Sequence, residues 1–191
     1  MTLPALGRWL ALAVLLGFSP LLLAAADDDL KEAGRLYHDG QRALALQKVD
    51  AVLETIPKNA QARFLKGVIL TAQNEGAAAM HIFTGLTEDY PELPEPHNNL
   101  AVLYAAKGQY ESARRELELA VRTSPDYAVA HENLGDVYAQ LAADEYERTT
   151  SLDRNNNTAA PKLKLIEQLL AGKKAKTRAS DELQSNPLSK P

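Results

Sequence analysis

Residues 94–125 read PEPHNNLAVLYAAKGQYESARRELELAVRTSP. Two stretches rich in Ala, Leu, Glu and Arg, all good helix formers, flank one glycine, Gly108, and the second stops at Pro125. Taken alone, this is a pair of helices joined by a tight turn. The same ending occurs twice upstream, in "AVLETIPKNA" and "TGLTEDYPEL", and the three prolines, Pro57, Pro91 and Pro125, lie 34 apart at each step. A fixed period of this length marks a stacked repeat, in which each unit buries its apolar face only against its neighbours. In the same register Gly40 and Gly108 hold equivalent turn positions, and Asn74 holds that place in between. Such a turn needs a residue that tolerates positive φ, as Gly and Asn do.

The period and its signature positions resemble those of the tetratricopeptide repeat family. The unit at 94–125 is the most similar, with Leu100 and Ala101 where the pattern has Leu-Gly, Tyr104 where it has Tyr, and Ala113 and Ala120 at its two small positions. The unit before it supplies Gly67, Leu70, Ala79, Phe83 and Pro91, and the first supplies Ala33, Leu36, Ala45, Val49 and Pro57. The resemblance covers roughly residues 27–154 and implies an all-α solenoid of helical hairpins. Small residues where two helices cross let their backbones approach. Three full repeats are expected at 27–59, 60–93 and 94–127.

A fourth unit, 128–154, starts in register with His131, Leu134, Gly135 and Tyr138. Its ending "SLDRNN" resembles the end of a repeat, with Arg154 in the proline place, yet the step from Pro125 to Arg154 is only 29. The missing part is the turn. Ala142 stands where a glycine or asparagine is expected, inside "QLAADEYER", which has no breaker. The expectation is one fused helix from about residue 128 to about residue 152, spanning ~37 Å at ~1.5 Å per residue. A bend near Ala143 and Asp144 with a shortened second helix is the alternative. A capping helix is expected within 155–172, opened by Pro161, closed by Gly172, and covering the end of the array with Leu163, Ile166, Leu169 and Leu170. Residues 173–191, poor in apolar side chains, read as a disordered basic tail.

Residues 1–26 have the form of a signal peptide: Arg8, an apolar run from Trp9 to Leu23, then Ala24 and Ala26 spaced for cleavage before Asp27. That places the chain in the periplasm; an uncut leader would instead anchor it to the inner membrane. The chain has no cysteine, which excludes disulfides, thiolate metal sites and an amino-terminal lipid on cysteine. Charge is divided along the chain. Residues 27–153 hold 22 acidic against 12 basic residues, and residues 154–191 hold 3 against 8. An acidic array offers nucleic acid no basic face, so membrane or acidic-partner contact falls to the leader or to the tail with Lys162, Lys164, Lys173, Lys174, Lys176 and Arg178.

No sequence motif points to catalysis. Phosphate loops, HExxH and GxSxG are absent, and no cofactor or metal is expected. His97 and His131 lie 34 apart at a packing position of the repeat, so they read as repeat equivalents rather than as metal ligands, which need three or four converging groups. His38 and His81 lie near helix ends without a partner motif.

The resemblance implies a binding groove lined by the first helix of each unit. Its positions carry Tyr37; Phe64, Val68 and Thr71; Asn98, Asn99 and Val102; and Glu132, Asn133, Asp136 and Gln140. The lining passes from apolar to polar and acidic, with Phe64 and Val68 as an apolar anchor. Asn99 and Asn133 are repeat equivalents able to donate to and accept from a peptide backbone. Chaperone-binding members grip a terminal carboxylate with basic residues, but the corresponding places here hold Leu30, Gly34, Glu95 and Asn99. A ligand with basic character fits the fourth unit better. The expected function is a periplasmic scaffold that binds a peptide or helix of an envelope protein. The alternative is an anchored assembly factor, as short members of this family occur in pilus, cytochrome-maturation and cell-wall machineries.

Overall fold

The turn residues set the architecture. In the computed structural model, which describes the backbone of residues 20–185 and the side chains of residues 24–172, φ is +78° at Gly40, +64° at Asn74 and +71° at Gly108. Each closes the same helix end. The amide N–H of Gln41 bonds to the Leu36 carbonyl, that of Glu75 to Leu70, and that of Gln109 to Tyr104, at 2.8–3.0 Å. This long backward reach over a left-handed residue caps carbonyls that the helix leaves open.

Eight helices and no strand are found among the described residues: α1 (Pro20–His38), α2 (Arg42–Thr55), α3 (Ala60–Ala72), α4 (Gly76–Asp89), α5 (Pro94–Ala106), α6 (Tyr110–Thr123), α7 (Ala128–Leu152) and α8 (Ala159–Ser185). Pro57, Pro91 and Pro125 each follow a second helix by two positions. Another recurring bond closes the turn between repeats: Asn59 N–H to the Ile56 carbonyl, Leu93 to Tyr90, Tyr127 to Ser124 and Asn156 to Asp153. The last repeat is shorter than the others, yet this turn is intact. The fourth repeat therefore lost its internal turn and kept its end.

The helices form two compact units, divided between Glu75 and Gly76. In the first, α1 packs on α2 and α2 on α3 around Leu30, Ala33, Ala45, Val49, Val52, Ala62 and Ile69. In the second, α5 packs on α4, α6 and α7 around Ala101, Ala113, Leu117, Ala120, Ala130 and Val137. Ala45, Ala79 and Ala113, one repeat period apart, have no exposed surface. One helix turn on, Val49, Phe83 and Leu117 are fully covered as well. A methyl at the crossing and a large side chain beside it recur in α2, α4 and α6, which is how helices approach closely without leaving a void.

The fused helix is observed: α7 is a single helix of 25 residues, unbroken through Ala142 and Asp144. Two expectations need correction. The last helix does not end at Gly172 but continues to Ser185, so the stretch expected to be a disordered tail is helical as far as 185; residues 186–191 lie outside the described residues. A glycine inside a helix costs only about 1 kcal/mol, and the Lys, Ala, Arg, Glu and Leu that follow are good helix formers. Leu169 also lies outside the covering face, at 64% exposure, while Leu163, Ile166 and Leu170 are half-buried on the helix that packs against α7. At ~100° per residue, Leu169 sits about a quarter-turn from the middle of that stripe. Asn156 caps α8, its side-chain oxygen accepting from the Ala159 N–H at 2.9 Å.

Residues 1–19, most of the expected signal peptide, lie outside the described residues. No described helix is long and apolar enough to cross a membrane. α1 runs from Pro20 past the expected cleavage point without a break, and Ala26 is part of the first unit's core at 5% exposure.

Candidate functional site

The groove residues divide between the two units. In the first, Tyr37 on α1 and Phe64, Val68 and Thr71 on α3 are all half-buried. Tyr37 packs against the unit's own core. The Thr71 hydroxyl donates to the Gly67 carbonyl at 2.9 Å, so it can offer an outside group only its lone pairs.

In the second unit, Asn98, Asn99 and Val102 lie on α5, and Glu132, Asn133, Asp136 and Gln140 lie on the first half of α7, which packs beside α5. Asn98 is buried at 6% exposure and takes a 2.8 Å hydrogen bond from Asn133 Nδ2 across the two helices. This amide pair fixes the floor of the face. Each amide can make further bonds, since it carries two N–H groups and an oxygen with two lone pairs. Val102 is 44% exposed, Glu132 is exposed, and Asp136 and Gln140 are half-exposed. Gln140 donates to Asp144 at 3.3 Å along its own helix.

Asn99 and Asn133, equivalent in the repeat, have different partners. Asn99 Nδ2 donates back to the Glu95 carbonyl at 2.9 Å within α5, whereas Asn133 bridges to Asn98. The signal that sequence reasoning missed is the spacing of 35 between Asn98 and Asn133. One repeat plus one position brings side chains of adjacent first helices together.

A second recurring contact joins the helices of a hairpin. Asp29 and Lys48 pair at 2.9 Å in the first unit, and two repeat periods further on, His97 and Glu116 pair at 2.8 Å in the second. Both pairs have the same separation, 19, and link a first helix to the helix that returns along it. The Asp29 carboxylate raises the Lys48 ammonium above its ordinary pKa, through a hydrogen bond first and charge second. His131, the next equivalent of His97, has no returning helix to meet; it is exposed, and its Nε2–H donates to the Pro125 carbonyl at 3.0 Å. The packing role expected for both histidines is thus filled by His97 alone. No three His, Asp or Glu side chains converge on a metal-sized site among the described residues.

α6 braces the outer side of α7. Arg114 holds Glu118 at 2.6 Å and Glu111 at 3.1 Å, and the Tyr138 hydroxyl donates to Glu118 at 3.1 Å. The hydrogen bond from the Arg114 guanidinium, helped by that from Tyr138, holds the Glu118 carboxyl below the usual carboxylate range.

Comparison with known proteins agrees with this architecture. A family model described as TPR repeat matches residues 103–141. The chloroplastic tetratricopeptide repeat domain-containing protein PYG7 of Arabidopsis thaliana is 32% identical over 79 residues, which is 39% of this chain and 26% of that protein. The TPR repeat-containing thioredoxin TTL4 of the same plant is 33% identical over 82 residues, 43% of this chain and 12% of that one. The chain thus spans about a quarter of one relative and an eighth of the other. Among solved structures, the thermophilic TPR protein TTC0263 of Thermus thermophilus aligns with TM-score 0.59 at 21% identity, over 85% of this chain and 92% of that one. YrrB, a TPR protein with an unusual peptide-binding site, aligns with TM-score 0.52 at 27% identity, over 56% of this chain and 55% of its own. With its fixed repeat register, its left-handed turns and its helical hairpins, the chain has the fold of tetratricopeptide repeat proteins, and residues 103–141 match the model of that repeat.

Proposed function

We propose that the chain is a periplasmic scaffold that binds a peptide segment of an envelope protein on the α5–α7 face of its second unit. Tetratricopeptide folds mediate protein–protein and peptide interactions, mostly as scaffolds rather than as enzymes. The observation that carries the reading is the Asn98–Asn133 bridge, flanked by exposed Val102 and by Glu132 and Asp136. An amide pair fixed in place can meet the donors and acceptors of an extended backbone, Val102 supplies apolar contact, and the carboxylates favour a segment carrying Lys or Arg. Because the face is preformed by helix packing, little ordering is charged to binding. In the first unit, the apolar anchor of this reading is Phe64 with Val68, both half-buried on α3. The experiment is affinity capture from an envelope extract followed by binding of peptides from the captured protein. Asn133→Leu and the pair Glu132→Lys with Asp136→Lys are expected to lose capture while keeping the helical circular dichroism of the parent. Undiminished capture by both variants removes the face from consideration.

A further inference from the structure

α8 carries two apolar stripes where capping requires one. Ala159, Leu163, Ile166 and Leu170 form the more covered stripe of the helix that packs on α7. Leu165 and Leu169, one turn apart, point away from it at 66% and 64% exposure, and Leu152 at the end of α7 is 81% exposed. The inward stripe accounts for closure of the array; the outward leucines add nothing to it. Lys162 and Lys164 flank them and are exposed, with the Lys162 ammonium 5.4 Å from the centre of the Tyr146 ring on α7.

Charge indicates what these leucines meet. After the leader with its single Arg8, the basic excess of the chain lies in residues 154–191, and the array before them is strongly acidic. An anionic surface is repelled by the array and attracted to its C-terminal end. Exposed leucines at helical spacing between lysines are the pattern of a helix lying in the headgroup boundary of a bilayer, where apolar side chains enter and ammonium groups stay with the phosphates. Two leucines and their flanking lysines on one side of a helix make a peripheral contact, not a span. We propose that the α7–α8 end docks on an anionic lipid surface, with Leu165 and Leu169 inserted and Lys162 and Lys164 facing lipid phosphates. This contact is independent of the peptide face and leaves it open.

The absence of cysteine allows a local test on the full chain. Gln168→Cys, exposed beside the leucines, is labelled with an environment-sensitive nitrobenzoxadiazole, and Val102→Cys serves as the control label. With vesicles of phosphatidylcholine containing about one-third phosphatidylglycerol, the label at 168 shifts to the blue and brightens, and the label at 102 does not change. Pure phosphatidylcholine vesicles or high salt suppress the response. Each lysine near an anionic surface contributes about fivefold in partition, so Lys162→Glu with Lys164→Glu lowers it by more than about tenfold, as does Leu165→Gln with Leu169→Gln. Recruitment through the leader alone leaves the label at 168 unshifted and overturns the proposal. So does an equal response at both positions, or a response without vesicles that grows with protein concentration, which assigns the leucines to a second copy of the chain.

Discussion

Two glycine-to-alanine substitutions with opposite expected signs probe the repeat turn. At Gly108 the backbone has φ +71°, and a Cβ built there meets nothing within 4 Å. The cost of Gly108→Ala is therefore conformational alone. A left-handed alanine costs about 1–2 kcal/mol, offset by about 0.4–1 kcal/mol from a less flexible unfolded chain. Gly135 lies within α7, and its Cβ also meets nothing within 4 Å. Replacement by alanine there is expected to stabilise the helix by about 0.5–1 kcal/mol. The two variants should differ by about 1–2 kcal/mol, and for a chain of this size each kcal/mol moves the melting midpoint by about 2–4 °C. Thermal unfolding followed by far-ultraviolet circular dichroism reads the difference. Gly108→Ala melts below the parent and Gly135→Ala above it. If both move the midpoint the same way by similar amounts, the left-handed turn does not control the hairpin and the reasoning fails.

Three further outcomes follow from the same contacts. Spin labels at Val129 and Leu152, both exposed on α7, should lie ~34 Å apart along the backbone at ~1.5 Å per residue; a pulsed dipolar distance below about half that length would restore a hairpin in the fourth repeat. Glu116→Ala leaves the buried His97 ring without its partner and should lower stability by about 1–2 kcal/mol in urea, whereas Glu147→Ala on the exposed side of α7 should change little. The Glu118 carboxyl, held low first by the Arg114 hydrogen bond, contributes stability that is complete above the unfolded carboxylate pKa and is lost as pH falls through the lower folded value. Carbon-detected NMR should place its titration below that of an ordinary glutamate, and Arg114→Ala should move it up; no movement disproves the pairing.

Much of the fold was legible because it depends on backbone chemistry repeated at fixed intervals. Gly40, Asn74 and Gly108 mark positive φ, the three prolines mark helix ends, and Ala45, Ala79 and Ala113 mark crossings. The fused α7 followed from a missing breaker at Ala142. What stayed hidden depends on contacts between elements. The hairpin pair changes from Asp29 with Lys48 to His97 with Glu116, so neither residue identity nor sign repeats, only geometry. Asn98 meets Asn133 rather than its own equivalent because adjacent first helices are offset by one position. Gly172 was a poor guide to the end of α8, since one glycine does not stop a helix that helix formers continue. Leu165 drew no attention in the sequence because a leucine in a helix is normally core, and only packing reveals which stripe is covered.

The central claim is that the α5–α7 face holds a basic peptide. Its most direct measurement is the NMR amide shift map of the chain titrated with the partner segment found by envelope capture. The account predicts shifts concentrated at Asn98, Asn99, Val102, Glu132, Asn133 and Asp136, and their disappearance in Asn133→Leu. Shifts confined to other surfaces, with binding unchanged in that variant, would contradict it.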